Sequence, residues 1–368
     1  MDLPPFLLDH WLSKHSFAVP PIEYDLASST GPKWTVGELL ALGAGTDVDD
    51  TVLSYAPAAG SKALRTAIGE FLGVDPDWVV ATVGASEALS ILMCLAARQG
   101  ANVILPSPGY PAFEPMAGVW GLEVRRAILS RDDGFRQTAD DVLALADDAT
   151  ALALVNTPQN PLGTTMPRDD IERLAAALES RGAPLIVDEV YHPLHFDEPR
   201  ASAAGIRNVV AIGDMSKALS LAGLRLGWLV ERDAARRAMA IDARSYFTIS
   251  SSPLLERLAA NALVNRDILL SQLHGVASEN LDALSDLMAR VSDVLAWATP
   301  TGGTVCFPWF RDGRDSRPFC EALAARGVLV APGDCFGMAE HMRVGFALLQ
   351  PAKFLQALAI FERTLREA

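Results

Sequence analysis

Three apolar runs of the chain each end in side chains that can do chemistry. The run 151–155 is followed by Asn160, the run 185–187 by Asp188 and Tyr191, and the run 209–212 by Ser216 and Lys217. Ligands of an open α/β sheet bind outside the carboxyl ends of its strands. We therefore expect an amide, a carboxylate, a phenol and an amine to face one ligand.

A fourth apolar run, 79–83, leads into Gly84, Ala85 and Ser86, and a helix is predicted to begin there. A strand, a turn of small residues and a helix start can hold a phosphate through backbone N–H groups. Arg225 lies between two glycines in the segment 223–227 and adds a cation. A phosphate site, a lysine and a buried carboxylate are the groups that pyridoxal 5'-phosphate (PLP) requires.

The elements that must position these residues are predicted from the apolar patterns. The β-rich runs 79–83, 103–105, 151–155, 185–187, 209–212 and 226–230 lack polar alternation, which is typical of strands buried on both faces. Helical stretches separate them. One of these is 167–181, which begins at Pro167 and is terminated by the following Gly182. The alternation predicts an α/β fold with a three-layer, mostly parallel sheet.

The domain organisation is predicted from changes in texture along the chain. The first 30 residues are rich in proline and predict an irregular arm, and the region after about residue 240 is rich in Ala and Leu. We expect residues 1–40 to form the arm and part of a small α+β domain, residues 41–240 a large cofactor domain, and residues 241–368 the rest of the small domain. The arm should pack on the small domain or on a partner subunit.

Composition excludes several classes of protein. The 368 residues are enough for two or three domains, and 31 Lys and Arg against 45 Asp and Glu give a net charge of -14. Nucleic acids and anionic membranes need a basic surface, so neither is expected as a partner. We find no apolar run long enough to span a membrane and no CxxC pair, and we expect reduced cysteines in the cytoplasm. His192 and His195 form an HxxH without an evident third ligand, so no metal is expected.

Five segments resemble the class I/II aminotransferase family of fold type I PLP enzymes, in family order and at family-like spacings. They are 156–163 (NTPQNPLG), 188–191 (DEVY), 216–217 (SK) with 223–227 (GLRLG), 331–337 (APGDCFG) and 342–347 (MRVGFA). The resemblance extends from about Tyr24 to the C terminus. It implies a PLP-dependent aminotransferase that acts on an L-amino acid and a 2-oxo acid.

The resemblance also implies roles for individual residues. Lys217 would form the Schiff base and move the substrate proton, with Asp188 on the ring nitrogen and Tyr191 on the ring hydroxyl. The other implied cofactor residues are Gly84, Ala85, Ser86, Tyr110, Asn160, Ser216 and Arg225. Arg343 would bind the α-carboxylate, with Asn160 and Gly31 also in the substrate site. In the family, a tyrosine like Tyr55 reaches the phosphate in the active site of the neighbouring subunit, which implies a homodimer with shared active sites.

One residue departs from the family pattern. Many relatives carry Ser or Thr three positions before the lysine and use its hydroxyl on the phosphate, whereas this chain has Asp214. A carboxylate repels a phosphate dianion. We expect Asp214 to point away from the phosphate or to be bonded to other groups.

Three functions remain open at the level of sequence. The first is an aminotransferase. The second is an enzyme of the same fold that eliminates or cyclises an amino-acid side chain, because residues 25–31 (DLASSTG) and the following segment depart from the usual family opening and are similar to capreomycidine-synthase-like enzymes. The third is a PLP-sensing regulatory domain, but the acidic chain and the short arm leave no basic DNA-binding segment.

Overall fold

The described residues of this computed structural model, 3–19, 21–43 and 47–367, form twelve α-helices and fourteen β-strands. The helices are α1 Leu7–Ser16, α2 Val36–Leu40, α3 Lys62–Leu72, α4 Gly84–Ala96, α5 Phe113–Val119, α6 Ala139–Leu143, α7 Arg168–Glu179, α8 Ala234–Phe247, α9 Pro253–Val264, α10 Arg266–Arg290, α11 Arg317–Ala324 and α12 Pro351–Glu367. The strands are β1 Tyr24–Asp25, β2 Val79–Thr82, β3 Asn102–Ser107, β4 Glu123–Ile128, β5 Thr150–Asn156, β6 Leu185–Asp188, β7 Val209–Asp214, β8 Gly227–Glu231, β9 Leu295–Ala296, β10 Val305–Cys306, β11 Trp309–Phe310, β12 Val328–Leu329, β13 Ala331–Pro332 and β14 Met342–Gly345.

Seven of these strands form the main sheet, in the order β2-β8-β7-β6-β5-β3-β4. The pairs among β7, β6, β5, β3 and β4 are parallel, and β8 is antiparallel to both of its neighbours. The predicted α/β class with a mostly parallel sheet is confirmed. All six predicted strands are present, but β4 at the sheet edge was missed because its charged sequence EVRRAI contains no apolar run.

Helices cover both faces of this sheet, which explains the absence of polar alternation in its strands. Along β2, Val79 and Ala81 belong to one hydrophobic cluster and Val80 to another. The first cluster includes residues of α3, α7 and α9, and the second includes residues of α4, α5 and α8. Successive side chains of a strand point to opposite faces, so every position of such a strand must be apolar.

A third hydrophobic cluster joins the N-terminal segment to the C-terminal elements. It contains residues of α1, β1, most of α10, α11 and α12 and the short strands β9 to β14. Helix α9, by contrast, contributes Leu258 and Leu263 to a cluster of the main sheet. We propose that the two domains meet near the start of α10, with the N-terminal segment belonging to the smaller one.

The prediction of an irregular N-terminal arm was wrong over Leu7–Ser16, which form α1. Leu8 and Trp11 are buried on one face of this helix, and Trp11 Nε1 donates a 2.9 Å hydrogen bond to the carbonyl of Val330. Pro4 and Pro5 lie before the helix and do not interrupt it, and the burial of its amphipathic face stabilises α1. No helix of the described residues is long and apolar enough to cross a membrane.

Candidate active site

The carboxyl ends of β5, β6 and β7 lie side by side and form the floor of a cavity of about 300 Å³. In the ladder, Asn156 at the end of β5 is the partner of Asp188 at the end of β6. The predicted site residues that line the cavity are Ala85, Ser86, Tyr110, Asn160, Asp188, Tyr191, Ser216, Lys217, Arg225 and Arg343. Strand ends from distant parts of the chain therefore bring the amide, the carboxylate, the phenol and the amine together.

Lys217 lies in the loop after β7, and its Nζ donates a 2.7 Å hydrogen bond to Ser29 Oγ. Burial disfavours the charged ammonium and lowers the pKa of Lys217 to about 8, although the nearby Asp214 carboxylate opposes this shift. A substantial fraction of the amine is therefore neutral near pH 8. Only the neutral amine has the lone pair that a nucleophile or a base needs.

Asp188 ends β6 and is buried at the floor of the cavity. Its Oδ1 accepts a 3.1 Å hydrogen bond from the backbone N–H of Val190, which fixes the orientation of the carboxyl group. Burial raises the pKa of Asp188 to about 7, and the nearby Asp214 and Glu189 add to the increase. A buried carboxylate of this kind gains stability from a cationic partner, such as a protonated ring nitrogen.

Helix α4 starts at the cavity. Val83 occupies its N-cap position and has no side-chain group that could accept hydrogen bonds from the first backbone N–H groups of the helix. Gly84 has a φ of +69°, and a Cβ at this position would lie 2.8 Å from Arg225 Nη2. The positive φ favours glycine, and the absence of a side chain at Gly84 lets the helix start and the guanidinium lie close together. Free N–H groups beside a cation form a site for a phosphate.

Glu87 in the first turn of α4 ties this helix start to the rest of the fold. Its carboxylate accepts hydrogen bonds from Val83 N–H and the Thr248 hydroxyl, and the fully buried Arg244 lies 3.6 Å away. Arg244 also donates to the Ala58 carbonyl and the Ser251 hydroxyl. This buried network was not predicted, because its members are far apart in the sequence.

Arg343 on β14 reaches the cavity from the opposite side and is 2% exposed. Its Nη1 donates a 3.0 Å hydrogen bond to Asn160 Oδ1, and its Nη2 donates a 2.7 Å hydrogen bond to the Ala27 carbonyl. Burial lowers the pKa of Arg343, and its Nε has no hydrogen-bond partner among the described residues. A buried guanidinium with a free N–H is suited to bind a carboxylate.

Two tyrosines complete the cavity wall. The Tyr191 hydroxyl is buried and has no hydrogen bond of normal geometry in the described part of the chain, although the Ser29 and Thr304 hydroxyls lie near it; burial raises the pKa of Tyr191 to about 12. Tyr110 packs edge-on against Phe6 and Phe113, with ring centroids 6.1 and 5.6 Å apart. Buried donors rarely stay unpaired in a native protein, so the Tyr191 hydroxyl indicates a ligand at this place.

Three predicted site residues do not line the cavity. Gly84 lies next to the Arg225 guanidinium, where a Cβ would come within 2.8 Å of Nη2. Gly31 packs between Ser220 and Leu273, where a Cβ would come within 2.3 Å of Ser220 Oγ. Tyr55 is 80% exposed in a separate surface depression, so its predicted role depends on a second subunit.

Two segments that line the cavity were not predicted from the sequence to do so. Helix α1 contributes Leu8, Asp9 and Leu12. The segment after β1 contributes three consecutive hydroxyl residues, Ser28, Ser29 and Thr30. The spacing of Leu8, Trp11 and Leu12 is a helical signal that could have revealed α1. The hydroxyl residues belong to the unusual opening 25–31, but no local sequence pattern shows that they line the cavity.

Asp214 lines the cavity, and its Oδ1 accepts a 2.8 Å hydrogen bond from the backbone N–H of Ser216. Asp214 is thus bonded to another group, as expected, but it does not lie outside the cavity.

His192 and His195 lie outside this cavity, and burial lowers the pKa of each to about 4. No group of three or more His, Cys, Asp or Glu in the described ranges is placed to hold a metal ion.

The groups around the cavity fit PLP. The unpaired Tyr191 hydroxyl, the uncapped start of α4 and the buried carboxylate of Asp188 each lack the partner that one part of this cofactor would provide. Enzymes with this α/β fold and this combination of groups at the sheet edge are PLP-dependent enzymes of fold type I. Solved structures of that kind match the chain over its length.

The chain belongs to the aminotransferase class I and II family, which matches residues 35–361. A capreomycidine synthase from Streptomyces vinaceus is 34% identical over 359 residues, covering 95% of this chain and 91% of the relative. The structure of a PLP-dependent aminotransferase from Streptococcus suis 89-1591 matches 100% of this chain and 99% of its own, with a TM-score of 0.90 and 25% identity. The PLP-dependent cyclase OrfR matches 100% of this chain and 98% of its own, with a TM-score of 0.88 and 27% identity.

Proposed function

We propose that this PLP-dependent enzyme is an aminotransferase that moves an amino group between an L-amino acid and a 2-oxo acid. The observation that carries the proposal is the placement of Arg343 and Lys217 in one cavity, a carboxylate-binding guanidinium and a partly neutral amine. An amino acid bound by its α-carboxylate to Arg343 would present its α-carbon to the lysine. The same arrangement accepts a 2-oxo acid, which has the same carboxylate.

The residues that would hold the cofactor follow from the contacts described above. Asp188 would bind the ring nitrogen, and Tyr110 would pack on the ring. Asn160 uses its Oδ1 for Arg343, so its Nδ2 is free to donate to the ring hydroxyl together with Tyr191. The phosphate would be held by the helix start at Ala85 and Ser86 and by Ser216 and Arg225.

The bound cofactor supplies an electron sink that stabilises negative charge at the substrate α-carbon. Lys217 Nζ, neutral in a substantial fraction near pH 8, would remove the proton from that carbon and deliver it to the cofactor, so that the amino group can leave the substrate. Asp188 would keep the ring nitrogen protonated, because a buried carboxylate favours a cation beside it. Helix α1 covers the cavity with Leu8 and Leu12 and limits the access of water.

The test of this proposal is direct. The purified holoenzyme is mixed with single L-amino acids, and the release of a 2-oxo acid is measured together with conversion of the bound cofactor to its amine form. We expect conversion with at least one donor, and restoration of the original absorbance when a 2-oxo acid is added. An enzyme that binds PLP but converts with none of the common donors would contradict the proposal.

A second candidate is an enzyme of the same fold that eliminates or cyclises a side chain. It is favoured by the similarity to capreomycidine synthase and to the cyclase OrfR, together with the hydroxyl residues Ser28, Ser29 and Thr30 in the cavity. Incubation with a hydroxyarginine-type substrate and product analysis distinguishes the two. A cyclic guanidine formed without any 2-oxo acid would replace the aminotransferase proposal by this one.

We also propose a homodimer with shared active sites, located in the cytoplasm. Leu53 and Tyr55 are 78% and 80% exposed, and Tyr246 is 90% exposed. Single exposed apolar side chains are ordinary at a protein surface, but Leu53 and Tyr55 lie together with Val52, and a contiguous exposed apolar patch is suited to a protein interface. A cytoplasmic location is consistent with four cysteines that are all free of disulfides.

Mixing two inactive variants tests the shared site. Lys217→Ala and Tyr55→Ala homodimers are expected to have little activity, because the first lacks the amine and the second lacks the partner's phosphate contact. After unfolding and refolding together, hybrid dimers contain one site with both residues intact. We expect the mixture to regain a measurable part of the wild-type activity, whereas no recovery in dimers shown to be hybrid would mean that Tyr55 acts within its own subunit.

Asp214 gives a prediction about cofactor affinity. Asp214→Ser is expected to lower the Kd of the apoenzyme for PLP about tenfold, about 1.4 kcal/mol, because it removes a negative charge beside the phosphate and adds a hydroxyl. The Kd is measured by fluorescence titration. Asp214→Asn is the matched control, since it keeps the Oδ1 acceptor for Ser216 N–H and removes only the charge. Weaker binding by Asp214→Asn would show that attraction between Asp214 and Lys217 outweighs its repulsion of the phosphate.

A further inference from the structure

The segment 25–30 is held in place by hydrogen bonds along most of its length. Asp25 Oδ1 accepts bonds from the backbone N–H groups of Ala27 and Ser28, at 2.9 and 3.0 Å. The Thr304 hydroxyl donates a 2.8 Å bond to the Ser29 carbonyl, and Arg343 Nη2 donates to the Ala27 carbonyl. The backbone on both sides of the Ser29 side chain is therefore fixed.

This fixed backbone places the Ser29 hydroxyl at the amine of Lys217. Ser29 is 8% exposed, and its Oγ lies 2.7 Å from Lys217 Nζ. A hydroxyl on a rigid segment restricts the flexible lysine side chain, because a bond to a fixed partner limits the rotamers that keep it. Four charged groups face this amine. The carboxylates of Asp214 and Asp188 favour its protonated form, and the guanidinium groups of Arg343 and Arg225 disfavour it.

The neighbouring hydroxyl differs in its contact. Ser28 also lines the cavity, but its Oγ is bonded to Thr30 Oγ1 at 2.9 Å and not to the lysine. Ser28 and Ser29 thus share a segment, a side-chain type and a cavity, and they differ in whether they touch the amine. Because Ser28 Oγ also accepts a 3.3 Å hydrogen bond from the Thr30 backbone N–H, Ser28 helps to hold the segment and is not a neutral control. The exposed Ser180, which follows α7 and lies outside the cavity, is the control serine.

We propose that Ser29 is a positioning residue that holds the Lys217 amine in the orientation from which it captures PLP. This inference rests on the proposed function of Lys217 as the cofactor-binding amine. The hydroxyl also accepts a hydrogen bond from the amine, and such a bond is stronger when the donor is the charged ammonium. Ser29 therefore both orders the lysine and favours its protonated form.

The test measures how fast the full-length apoenzyme takes up PLP, followed by the absorbance of the bound cofactor, from pH 6 to pH 10. For the wild type, the rate should rise with pH and be half-maximal near pH 8, where Lys217 loses its proton. Ser29→Ala is expected to lower the rate at the high-pH plateau about tenfold, because an unordered amine reaches the reactive orientation less often. Its midpoint should move down by about 0.5 pH unit, because the ammonium loses an acceptor.

Ser180→Ala should keep the wild-type plateau and midpoint, and Ser29→Thr should restore both by supplying a hydroxyl. Ser29→Gly removes the same hydroxyl and serves if Ser29→Ala is unstable. A Ser29→Ala profile equal to that of the wild type would overturn the proposal, and so would equal effects of Ser180→Ala and Ser29→Ala. A wild-type protein that takes up no PLP would instead overturn the proposed function of the site.

Discussion

Lys217→Ala is expected to lower kcat for every amino donor by about 10³-fold or more, since the amine that we propose moves the substrate proton is lost. No other lysine lines the described cavity, so no neighbouring amine can replace it. The measurement is single-turnover release of 2-oxo acid from the variant loaded with PLP. Binding of PLP should persist in weakened form, because the phosphate and ring contacts remain.

Lys353→Ala is the control for this experiment. Lys353 is an exposed residue near the start of α12, outside the cavity, and its replacement should leave kcat within about twofold of the wild type. A Lys217→Ala variant with wild-type kcat would show that another lysine is the reactive one. That result would remove the basis for both proposed reactions.

Arg343→Lys is expected to reduce kcat/KM for amino acids by about 10- to 150-fold, corresponding to about 1.5–3 kcal/mol of lost charge-assisted hydrogen bonding. Lysine keeps the charge but cannot offer two parallel N–H groups to a carboxylate. It also cannot keep the bonds from the guanidinium to Asn160 Oδ1 and the Ala27 carbonyl together. Most of the loss should appear as a higher KM.

A substrate without a carboxylate separates binding from damage to the site. A primary amine that the wild type converts slowly should be converted equally slowly by Arg343→Lys, because it never used the guanidinium. Arg207→Lys is the matched control, as Arg207 forms an exposed ion pair with Glu179. An unchanged KM for amino acids in Arg343→Lys would show that the carboxylate binds elsewhere.

The main sheet could be predicted from the sequence because its strands are local patterns. A strand covered by helices on both faces is a short β-rich run, as in β5 and β6 with every residue buried. Edge strand β4 has a solvated surface, and its charged residues hide it from the same criterion. Helix α1 has a clear amphipathic spacing that the prolines before it obscured.

The site could be predicted in part, for a related reason. Lys217, Asp188 and Asn160 follow strands, so the register of a parallel sheet brings them together once the strands are recognised. Ser29 and Lys217 are 188 positions apart, and Ala27 and Arg343 are 316 positions apart. Contacts of this kind arise from how the N-terminal segment packs on the C-terminal strands, which periodicity and spacing do not encode.

The segment 25–30 connects the two groups that we propose handle the substrate, Lys217 and Arg343. Its Ala27 carbonyl is bonded to Arg343 and its Ser29 hydroxyl to Lys217, so a displacement of a few residues is felt at both. A carboxylate that displaced the Ala27 carbonyl from Arg343 would release one of the bonds that hold this segment, and the contact of Ser29 with Lys217 would be loosened with it. Coupling of this kind is reciprocal, so the protonation state of Lys217 would in turn influence how tightly that carboxylate is held.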